Sequence, residues 1–315
     1  MASATRSFAN KHSSLYASER DCQRYDADLC QHQDYQGALL AAILEVLGAS
    51  LSATTIRALD AGAGTGKLSR LLAPHVSSLV VTDRSAEALA VARSSLESGR
   101  AGHHSCTLAF HQSDLRTLPL PDGSVDLVIA GWAVSYLKSE HEEWYADGSS
   151  GGPWREEVDR AMAEFDRVLA PGGALILLET KGTATASPQR AGSWFYAHLR
   201  EAHAMHERTI RTDYRFPSRC EALETLLFFF GKGVASRAQS ILADVPPSGV
   251  SCIVPECTGL WWRHKWAAPA PLGRVHASKW LTRTTVLAVV TLLGGMAFGF
   301  AMGLHPMRIR RRAFR

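Results

Sequence analysis

The sequence predicts an α/β fold with a doubly wound, mostly parallel seven-stranded sheet and helices on both faces, followed by one C-terminal transmembrane helix. Three observations predict it. Short apolar runs alternate with longer amphipathic segments over residues 34–266, which is the pattern of strands and crossover helices. A glycine-rich turn joins the first of these strands directly to a helix. Residues 284–304 form an uncharged run that is long enough to cross a bilayer.

The composition indicates a near-neutral globular body followed by a basic end. The chain has 315 residues, of which 46% are hydrophobic and 20% are charged, so it has ample length for a buried core. Five arginines lie in the last eight residues, and without them the 34 basic residues fall to 29, against 30 acidic residues. They are Arg308, Arg310, Arg311, Arg312 and Arg315. The body lacks a basic surface excess, so we expect no nucleic-acid partner.

The six cysteines predict reduced thiols in a cytosol-facing protein. They form no Cys-x-x-Cys pair and have no regular spacing. Cys252 and Cys257 precede His264, but the sequence offers no evident fourth ligand for a metal. We therefore predict no bound metal.

Residues 1–33 predict a lid or a disordered segment, because their beginning is rich in serine and alanine and has no apolar core. From Asp34 onward, apolar residues recur at helical spacing until Gly48. The predicted α/β domain therefore covers residues 34–266 and opens with a helix.

The first strand and the turn after it carry the strongest functional signal. A short apolar run ends in Asp60, and Gly62, Gly64 and Gly66 follow at alternate positions before an apolar helical pattern begins. Glycines in such a turn allow positive φ and let the backbone lie against a flat polar ligand. The pattern predicts a site for a nucleoside-containing cofactor.

Two other nucleotide-binding loops fit this turn less well. A phosphate-binding P-loop would need a glycine where Ala61 stands and a hydroxyl residue where Leu68 stands. A dinucleotide fingerprint would need its last glycine where Lys67 stands. An ordinary tight turn between a strand and a helix remains open at this point.

The second predicted strand, residues 78–83, ends in Asp83. This residue lies seventeen positions after Gly66, a distance that lets a βαβ unit return it beside the glycine-rich turn. A carboxylate there can accept charge-assisted hydrogen bonds from both hydroxyls of a ribose. The same position also suits an N-cap for the helix that begins near Ala86.

The remaining elements follow from the alternation of apolar patterns. A proline-and-glycine turn precedes the buried strand at residues 125–130. Pro255 splits the segment 250–262 into two short strands. Together with an edge strand at 208–216, they are predicted to complete the seven-stranded sheet, with the last pair antiparallel. The other predicted elements are helix 86–96, strand 107–111, helix 154–169, strand 174–179, edge strand 208–216 and helix 221–230.

Beyond the α/β domain, residues 267–283 predict a linker, residues 284–304 a transmembrane helix and residues 305–315 a basic tail. About 20 helical residues at ~1.5 Å each span the ~30 Å hydrocarbon layer of a bilayer. Gly295, Gly299 and Gly303 recur at every fourth residue, a spacing that lets two such helices approach closely in a homodimer. We expect a single-pass anchor with the α/β domain in the cytosol, although the arginines of the tail favour the opposite orientation.

Three stretches resemble the class I S-adenosylmethionine-dependent methyltransferases, a family with a Rossmann-like fold. The acidic residue and alternating glycines of residues 60–66 are similar to the family's first motif. Residues 118–132, Leu-Pro-Leu-Pro-Asp-Gly-Ser-Val-Asp-Leu-Val-Ile-Ala-Gly-Trp, and residues 167–173, Arg-Val-Leu-Ala-Pro-Gly-Gly, resemble two later phrases of the family. The resemblance covers residues 39–179 and implies S-adenosyl-L-methionine as cofactor.

The resemblance also implies a set of cofactor-binding residues. Asp83 would bind the ribose, Asp114 would receive the adenine amino group, and the backbone of Leu115 would meet the ring. A tyrosine or arginine before the first helix would close over the cofactor, and Tyr16, Arg24 and Tyr25 are candidates. The full implied set is Asp60, Gly62, Ala63, Gly64, Gly66, Asp83, Arg84, Asp114, Leu115, Gly131 and Trp132.

The predicted reaction is an in-line methyl transfer to a small-molecule or lipid-like acceptor at a membrane surface. The segment after the fourth strand reads Gly-Trp-Ala-Val rather than the Asn/Asp-Pro-Pro-Tyr/Phe motif with which resembling nucleic-acid and protein methylators grip an amine. A hydroxyl or amine acceptor would need a general base, and Tyr136, His141 and Glu179 are candidates by their position at strand ends. The alternatives are a NAD(P)-dependent oxidoreductase and a non-catalytic membrane-anchored scaffold that binds S-adenosylmethionine.

Overall fold

The structure, a computed structural model, describes residues 18–48, 55–98, 106–144, 150–189 and 193–266. They lie in one compact unit, Met1–Ala267, and the second unit, Ala268–Arg315, lies outside the described residues. Tyr16, the linker, the transmembrane helix and the basic tail predicted above also fall outside them. Among the helices of the described ranges, none is long and apolar enough to cross a membrane.

Seven strands form the central sheet, in the order β3-β2-β1-β4-β7-β11-β8. All adjacent strands pair in parallel except β11, which runs antiparallel to both of its neighbours. This confirms the predicted mostly parallel seven-stranded sheet. Of the two strands predicted around Pro255, only β11 belongs to it, because β10 pairs in a separate two-stranded sheet. The strands of the described residues are β1 (Arg57–Ala61), β2 (Ser78–Asp83), β3 (Thr107–Gln112), β4 (Val125–Gly131), β5 (Glu143–Trp144), β6 (Ser150–Gly151), β7 (Leu169–Thr183), β8 (His206–Arg211), β9 (Tyr214–Phe216), β10 (Cys252–Val254) and β11 (Glu256–His264).

Helices cover both faces of the sheet, because successive strand side chains point to opposite sides. Leu59 of β1 belongs to a buried cluster with Val158 and Phe165 of α6. Its neighbour Ala58 belongs to the opposite cluster, with Leu39 of α2 and Leu89 of α4. The helices are α1 (Glu19–Tyr25), α2 (Ala38–Leu47), α3 (Lys67–Leu72), α4 (Ala86–Ser98), α5 (Val134–His141), α6 (Trp154–Val168), α7 (Trp194–Glu201), α8 (Arg219–Phe230) and α9 (Lys232–Ile241).

The predicted edge strand at residues 208–216 is two strands in different sheets. β8 pairs with β11 in the central sheet, whereas β9 pairs with β10 in a separate two-stranded sheet. The chain turns between them because the Asp213 carboxylate accepts hydrogen bonds from the Arg211 guanidinium and from the Glu256 N–H. An alternating pattern alone does not reveal that turn.

The segment before α2 is helical from residue 19 onward, where the sequence predicted a lid or a disordered segment. α1 continues into a π-helical turn, Asp26–Cys30. The Asp26 carboxylate accepts hydrogen bonds from the Thr65 hydroxyl at 2.9 Å and from the Arg70 guanidinium at 2.6 Å. These contacts attach the π-helical turn to the glycine-rich turn after β1.

Candidate active site

A cavity of about 360 Å³ lies at the carboxyl ends of β1, β2 and β4. The strand order reverses between β1 and β4, and ligands of open α/β sheets bind in the crevice at such a point. Ten of the eleven predicted cofactor-binding residues line this cavity: Asp60, Gly62, Ala63, Gly64, Asp83, Arg84, Asp114, Leu115, Gly131 and Trp132.

The eleventh residue, Gly66, is absent from the cavity lining. Its φ is +85°, and a Cβ atom built on it would lie 3.0 Å from the Ala92 Cβ of α4. Gly66 therefore allows α3 and α4 to pack closely, because any larger residue would push them apart.

Gly62 and Gly64 give the glycine-rich turn its shape. Their φ angles are +71° and +54°, in the left-handed region that favours glycine. The Gly62 N–H donates to the Thr82 carbonyl at 2.8 Å, which fixes the turn against β2. A Cβ atom on Gly62 would lie only 2.6 Å from the Ala133 Cβ, so the backbone passes too close to α5 for a side chain.

Asp60 is fully buried at the end of β1 and lines the cavity. The Ser69 hydroxyl donates to its Oδ2 atom at 2.6 Å, whereas its Oδ1 atom has no hydrogen-bond partner among the described residues. Burial raises the pKa of the Asp60 carboxyl to about 7. A buried acceptor without a partner is costly, so a ligand that donates a proton or carries a positive charge would compensate it.

Replacing Asp60 by asparagine should flatten the dependence of stability on pH. In the wild type, the folded chain keeps a proton on Asp60 up to about pH 7, whereas the unfolded chain releases it near pH 3.9. The free energy of unfolding should therefore fall as the pH rises through this window, by up to about 1.4 kcal/mol per pH unit. Urea unfolding of both proteins across the window measures the difference in slope.

A residual slope should persist in the Asp60→Asn variant. Burial also raises the pKa of Glu256, to about 8, and this carboxyl acts in the same direction. Equal slopes in the two proteins would contradict the raised pKa of Asp60.

Asp83 lies at the end of β2, next to the glycine-rich turn. Its Oδ2 atom accepts from the Gly64 N–H at 2.8 Å, and its Oδ1 atom accepts from the Ser85 N–H at 2.9 Å. The N-cap hydrogen bond of α4 comes from Ser85, whose hydroxyl accepts from the Ala88 N–H at 3.1 Å. The N-cap alternative for Asp83 is therefore wrong, and its carboxylate lies at the cavity wall.

Two arginine pairs shape the rim of the cavity beyond Asp83. The Asp114 carboxylate accepts two hydrogen bonds of 2.7 Å from the Arg116 guanidinium, which lowers the pKa of Asp114. Arg84 forms an ion pair of 2.5 Å with Glu140 of α5. Asp114 therefore stays ionised and keeps a fixed orientation beside Leu115.

Lys67, which in the sequence stood out only as a misfit to the dinucleotide fingerprint, also lines the cavity. The Lys67 ammonium donates to the Gln33 side-chain oxygen at 2.5 Å and lies 5.2 Å from the centre of the Trp132 ring. Burial lowers the pKa of Lys67 to about 8. Tyr25 and Cys30 of the N-terminal segment also line the cavity.

Of the three candidate bases, Tyr136 lines the cavity and the other two do not. The buried Glu179 carboxylate accepts from the Ser135 N–H at 3.0 Å and from the Ser135 hydroxyl at 2.7 Å, at the start of α5. His141 ends α5 and lies 3.4 Å from the Arg116 guanidinium. The structure thus gives Glu179 a helix-capping contact and places His141 at the rim.

Of the lid candidates in the described residues, Tyr25 lines the cavity and Arg24 does not. Arg24 pairs with Asp28 at 3.0 Å and lies over the Phe228 ring at 3.9 Å. Arg24 therefore contacts α8 and not the cavity.

The residues around the cavity resemble a known protein family. Residues 59–177, which contain the glycine-rich turn, Asp83, Asp114 and Trp132, match a family profile described as a methyltransferase domain. These residues form a methyltransferase domain. Its cofactor is S-adenosylmethionine.

Curated relatives of the methyltransferase domain include enzymes with different acceptors. The malonyl-[acyl-carrier protein] O-methyltransferase of Methylococcus capsulatus is 33% identical over 171 residues, which are 53% of this chain and 50% of that protein. The ubiquinone/menaquinone biosynthesis C-methyltransferase of Hahella chejuensis is 31% identical over 125 residues, which are 38% of this chain and 41% of that protein. The chain spans half or less of the length of these two relatives.

A solved structure also aligns with the chain. A phosphoethanolamine N-methyltransferase from Haemonchus contortus, in complex with phosphomonomethylethanolamine and S-adenosylhomocysteine, gives a TM-score of 0.47 at 16% identity. The alignment covers 82% of this chain and 60% of that chain.

The residues at the cavity of the methyltransferase domain fit the chemistry of S-adenosylmethionine. The buried Asp60 Oδ1 atom has no partner among the described residues and suits a cationic amino group. The Gly62 backbone leaves no room for a Cβ atom. The ionised Asp114 suits a hydrogen-bond donor such as an adenine amino group.

Proposed function

We propose that the protein binds S-adenosylmethionine in this cavity and transfers its methyl group to a small-molecule or lipid-like acceptor. The observation that carries the proposal is the composition of this cavity. Its lining combines the glycine-rich turn, Asp83 and Asp114, which suit a nucleoside. The same lining includes Gln33, Lys67 and Tyr136, which offer polar groups to a second molecule.

Within this proposal, each cavity wall has a defined task toward the cofactor. Asp83 accepts hydrogen bonds from the ribose hydroxyls, since its carboxylate lines the cavity beside the glycine-rich turn. Asp114 and the backbone of Leu115 receive the adenine, and Asp60 receives the amino group of the methionine part. The remaining assigned residues are Gly62, Ala63, Gly64, Arg84, Gly131 and Trp132.

The chain's contribution to methyl transfer is alignment and exclusion of water. S-adenosylmethionine supplies an electrophilic methyl group on a sulfonium when it is bound. An in-line displacement needs the acceptor atom held opposite the sulfur, a task for the walls formed by Trp132, Tyr25 and Tyr136. For a hydroxyl or amine acceptor, Tyr136 is our candidate for the group that takes the acceptor's proton, because it lies at the cavity.

We infer that Lys67 binds a ligand carboxylate in the cavity. In the part of the chain that the structure describes, its ammonium is bound to the neutral Gln33 amide and not to a carboxylate. A partly buried ammonium gains most from a charged partner. That carboxylate belongs either to the methionine part of the cofactor or to the acceptor.

Replacing Lys67 by methionine should weaken binding of a carboxylate ligand by about tenfold or more, the loss of one charge-assisted hydrogen bond. Calorimetric titration with S-adenosylhomocysteine and with 5′-methylthioadenosine, which lacks the amino-acid part, distinguishes the two sources. A loss for the first ligand alone assigns the carboxylate to the cofactor. Unchanged binding of both, with reduced turnover of anionic acceptors, assigns it to the acceptor.

The matched control is Lys181→Met. Lys181 is also buried but pairs with Glu207 outside the cavity, so this change should leave both affinities intact. Unchanged binding and unchanged turnover in Lys67→Met would contradict the carboxylate site.

Calorimetric titration of the full chain with S-adenosylmethionine, S-adenosylhomocysteine, NAD and ATP tests the proposed function. We expect binding of the first two ligands only. Transfer of labelled methyl groups from S-adenosylmethionine to a panel of carboxylate, phenol and amine acceptors then tests catalysis. Binding without transfer to any acceptor would favour a scaffold, and binding of NAD alone would favour an oxidoreductase.

We also propose that residues 284–304 anchor the protein in a membrane with the methyltransferase domain on the cytosolic side. The support is the sequence, since the run is uncharged and follows Lys279 and Arg283. Alkaline extraction of membranes from cells that express the full chain tests the anchor. Replacing Val290 by arginine places a charge in the middle of the run and should move the protein to the extracted fraction.

A further inference from the structure

A second cluster of chemically active side chains lies outside the cavity. Asp159 of α6, His198 of α7 and His203 after α7 come together, and none of them lines the cavity. The Nε2 atoms of both histidines lie 2.7 Å from the same Asp159 oxygen, Oδ1. The two imidazole rings meet edge to face, with their centres 5.1 Å apart. Three potential ligand atoms therefore converge on one point.

The fold holds these three side chains on fixed supports. His198 packs edge to face against Trp154, a fully buried residue at the start of α6, at 5.5 Å between ring centres. His203 is brought back toward α6 by a tight turn, in which Ala204 has a φ of +51° and the Met205 N–H donates to the Leu199 carbonyl at 3.2 Å. A left-handed alanine costs about 1 kcal/mol or more, so the surrounding packing must stabilise this turn.

We propose that Asp159, His198 and His203 bind a Zn²⁺ ion. Two imidazole nitrogens and one carboxylate oxygen form a donor set that zinc accepts, and three protein ligands leave a fourth position for water. The three ligand atoms all lie within 4.8 Å of one another. In a tetrahedral site with metal–ligand distances of 2.0–2.2 Å, ligand atoms lie about 3.4 Å apart.

Each nitrogen–oxygen distance of 2.7 Å must widen by about 0.7 Å to reach the tetrahedral spacing. Asp159 can provide this movement, since its side chain is 48% exposed, whereas His198 and His203 are 11% and 14% exposed. The exposed carboxylate also gives the ion a path from solvent.

Metal binding changes the tautomer of each histidine. While Nε2 donates to Asp159, its proton occupies the position that a metal needs. Ligation through Nε2 requires that proton to move to Nδ1, so each ring stays neutral and offers its Nε2 lone pair. The carboxylate then contacts the ion instead of two N–H groups, and the ion links α6 to the turn after α7.

The experiment is a zinc titration of the full chain, prepared without a polyhistidine tag and stripped of metal with a chelator. We expect one Zn²⁺ per chain in calorimetry and a rise in the midpoint of thermal unfolding, since a ligand that binds only the folded state stabilises it. His203→Gln and Asp159→Asn should each weaken zinc binding by at least about tenfold and abolish the thermal shift. His206→Gln should retain both, because His206 is an exposed histidine that stacks on Trp262 outside the cluster.

Cobalt substitution identifies the ligands. Four-coordinate Co²⁺ in this site should show visible bands that His203→Gln removes, without the thiolate charge-transfer band of a cysteine site. Absence of zinc binding by the folded wild type, or equal binding by the wild type and both variants, would overturn the proposal. Because Asp159 is half-exposed, Asp159→Asn should keep the wild-type circular dichroism and keep the test valid if His203→Gln misfolds. Neither outcome depends on the proposed methyl transfer.

Discussion

Replacing Asp83 by asparagine should weaken S-adenosylmethionine binding by about 100-fold, equivalent to about 2.7 kcal/mol. The carboxylate lies at the cavity wall, and its two oxygens accept from the backbone N–H groups of Gly64 and Ser85, which also line the cavity. Hydrogen bonds to a charged acceptor contribute about 1.5–3 kcal/mol each, and the amide loses most of this difference at two ribose hydroxyls. Isothermal titration calorimetry with S-adenosylmethionine and S-adenosylhomocysteine measures the loss.

Asp126→Asn is the matched control for this prediction. The Asp126 carboxylate accepts three hydrogen bonds, all from Arg57, but it lies at the opposite end of its strand and outside the cavity. The change should lower stability and leave cofactor affinity unchanged. If Asp83→Asn bound the cofactor as well as Asp126→Asn does, the assignment of Asp83 to the ribose would be wrong.

Replacing Gly62 by alanine should lower the free energy of unfolding by about 3 kcal/mol. An alanine in the left-handed region costs about 1–2 kcal/mol, and its Cβ atom would lie 2.6 Å from the Ala133 Cβ. Relief of that clash requires the start of α5 to move, at a cost typical of an overpacked core. Urea unfolding followed by circular dichroism measures the loss.

Gly64→Ala separates backbone strain from the clash. Gly64 also has a positive φ, but no atom of the described residues lies within 4 Å of a Cβ built there. The change should therefore cost only about 1 kcal/mol. Equal destabilisation by the two substitutions would show that the contact with Ala133 contributes nothing.

The acidic residues of the cavity could be predicted from the sequence because they lie at the ends of consecutive strands. In a parallel sheet, short connections return each strand end to the same edge. Asp60, Asp83 and Asp114 therefore meet without any long-range information. The glycines at alternate positions also indicate directly that the backbone there adopts positive φ angles.

The surroundings of Lys67 in the cavity could not be predicted in the same way. Lys67 contacts Gln33, which is 34 residues earlier in the chain, and the contact depends on the π-helical turn attached by Asp26. No local sequence pattern predicts that attachment. Gln33 itself forms a β-bridge with Tyr214, far along the chain.

The prediction of candidate bases shows a related limit. Glu179, like Tyr136, follows from its position near a strand end, but position does not determine the direction of a side chain. Successive strand residues alternate between faces, and the face of Glu179 meets the unsatisfied N–H groups at the start of α5. A buried carboxylate caps those groups, so helix placement rather than strand placement determines its role.

The attachment of the π-helical turn to the glycine-rich turn has a consequence for the catalytic cycle. Asp26 binds both Thr65 and Arg70, and Tyr25 and Cys30 of the same segment form part of the cavity wall. Movement of this wall away from the glycine-rich turn, which widens the cavity for a nucleoside, breaks the Asp26–Arg70 ion pair. We therefore expect departure of the demethylated cofactor, rather than methyl transfer, to limit the steady-state rate.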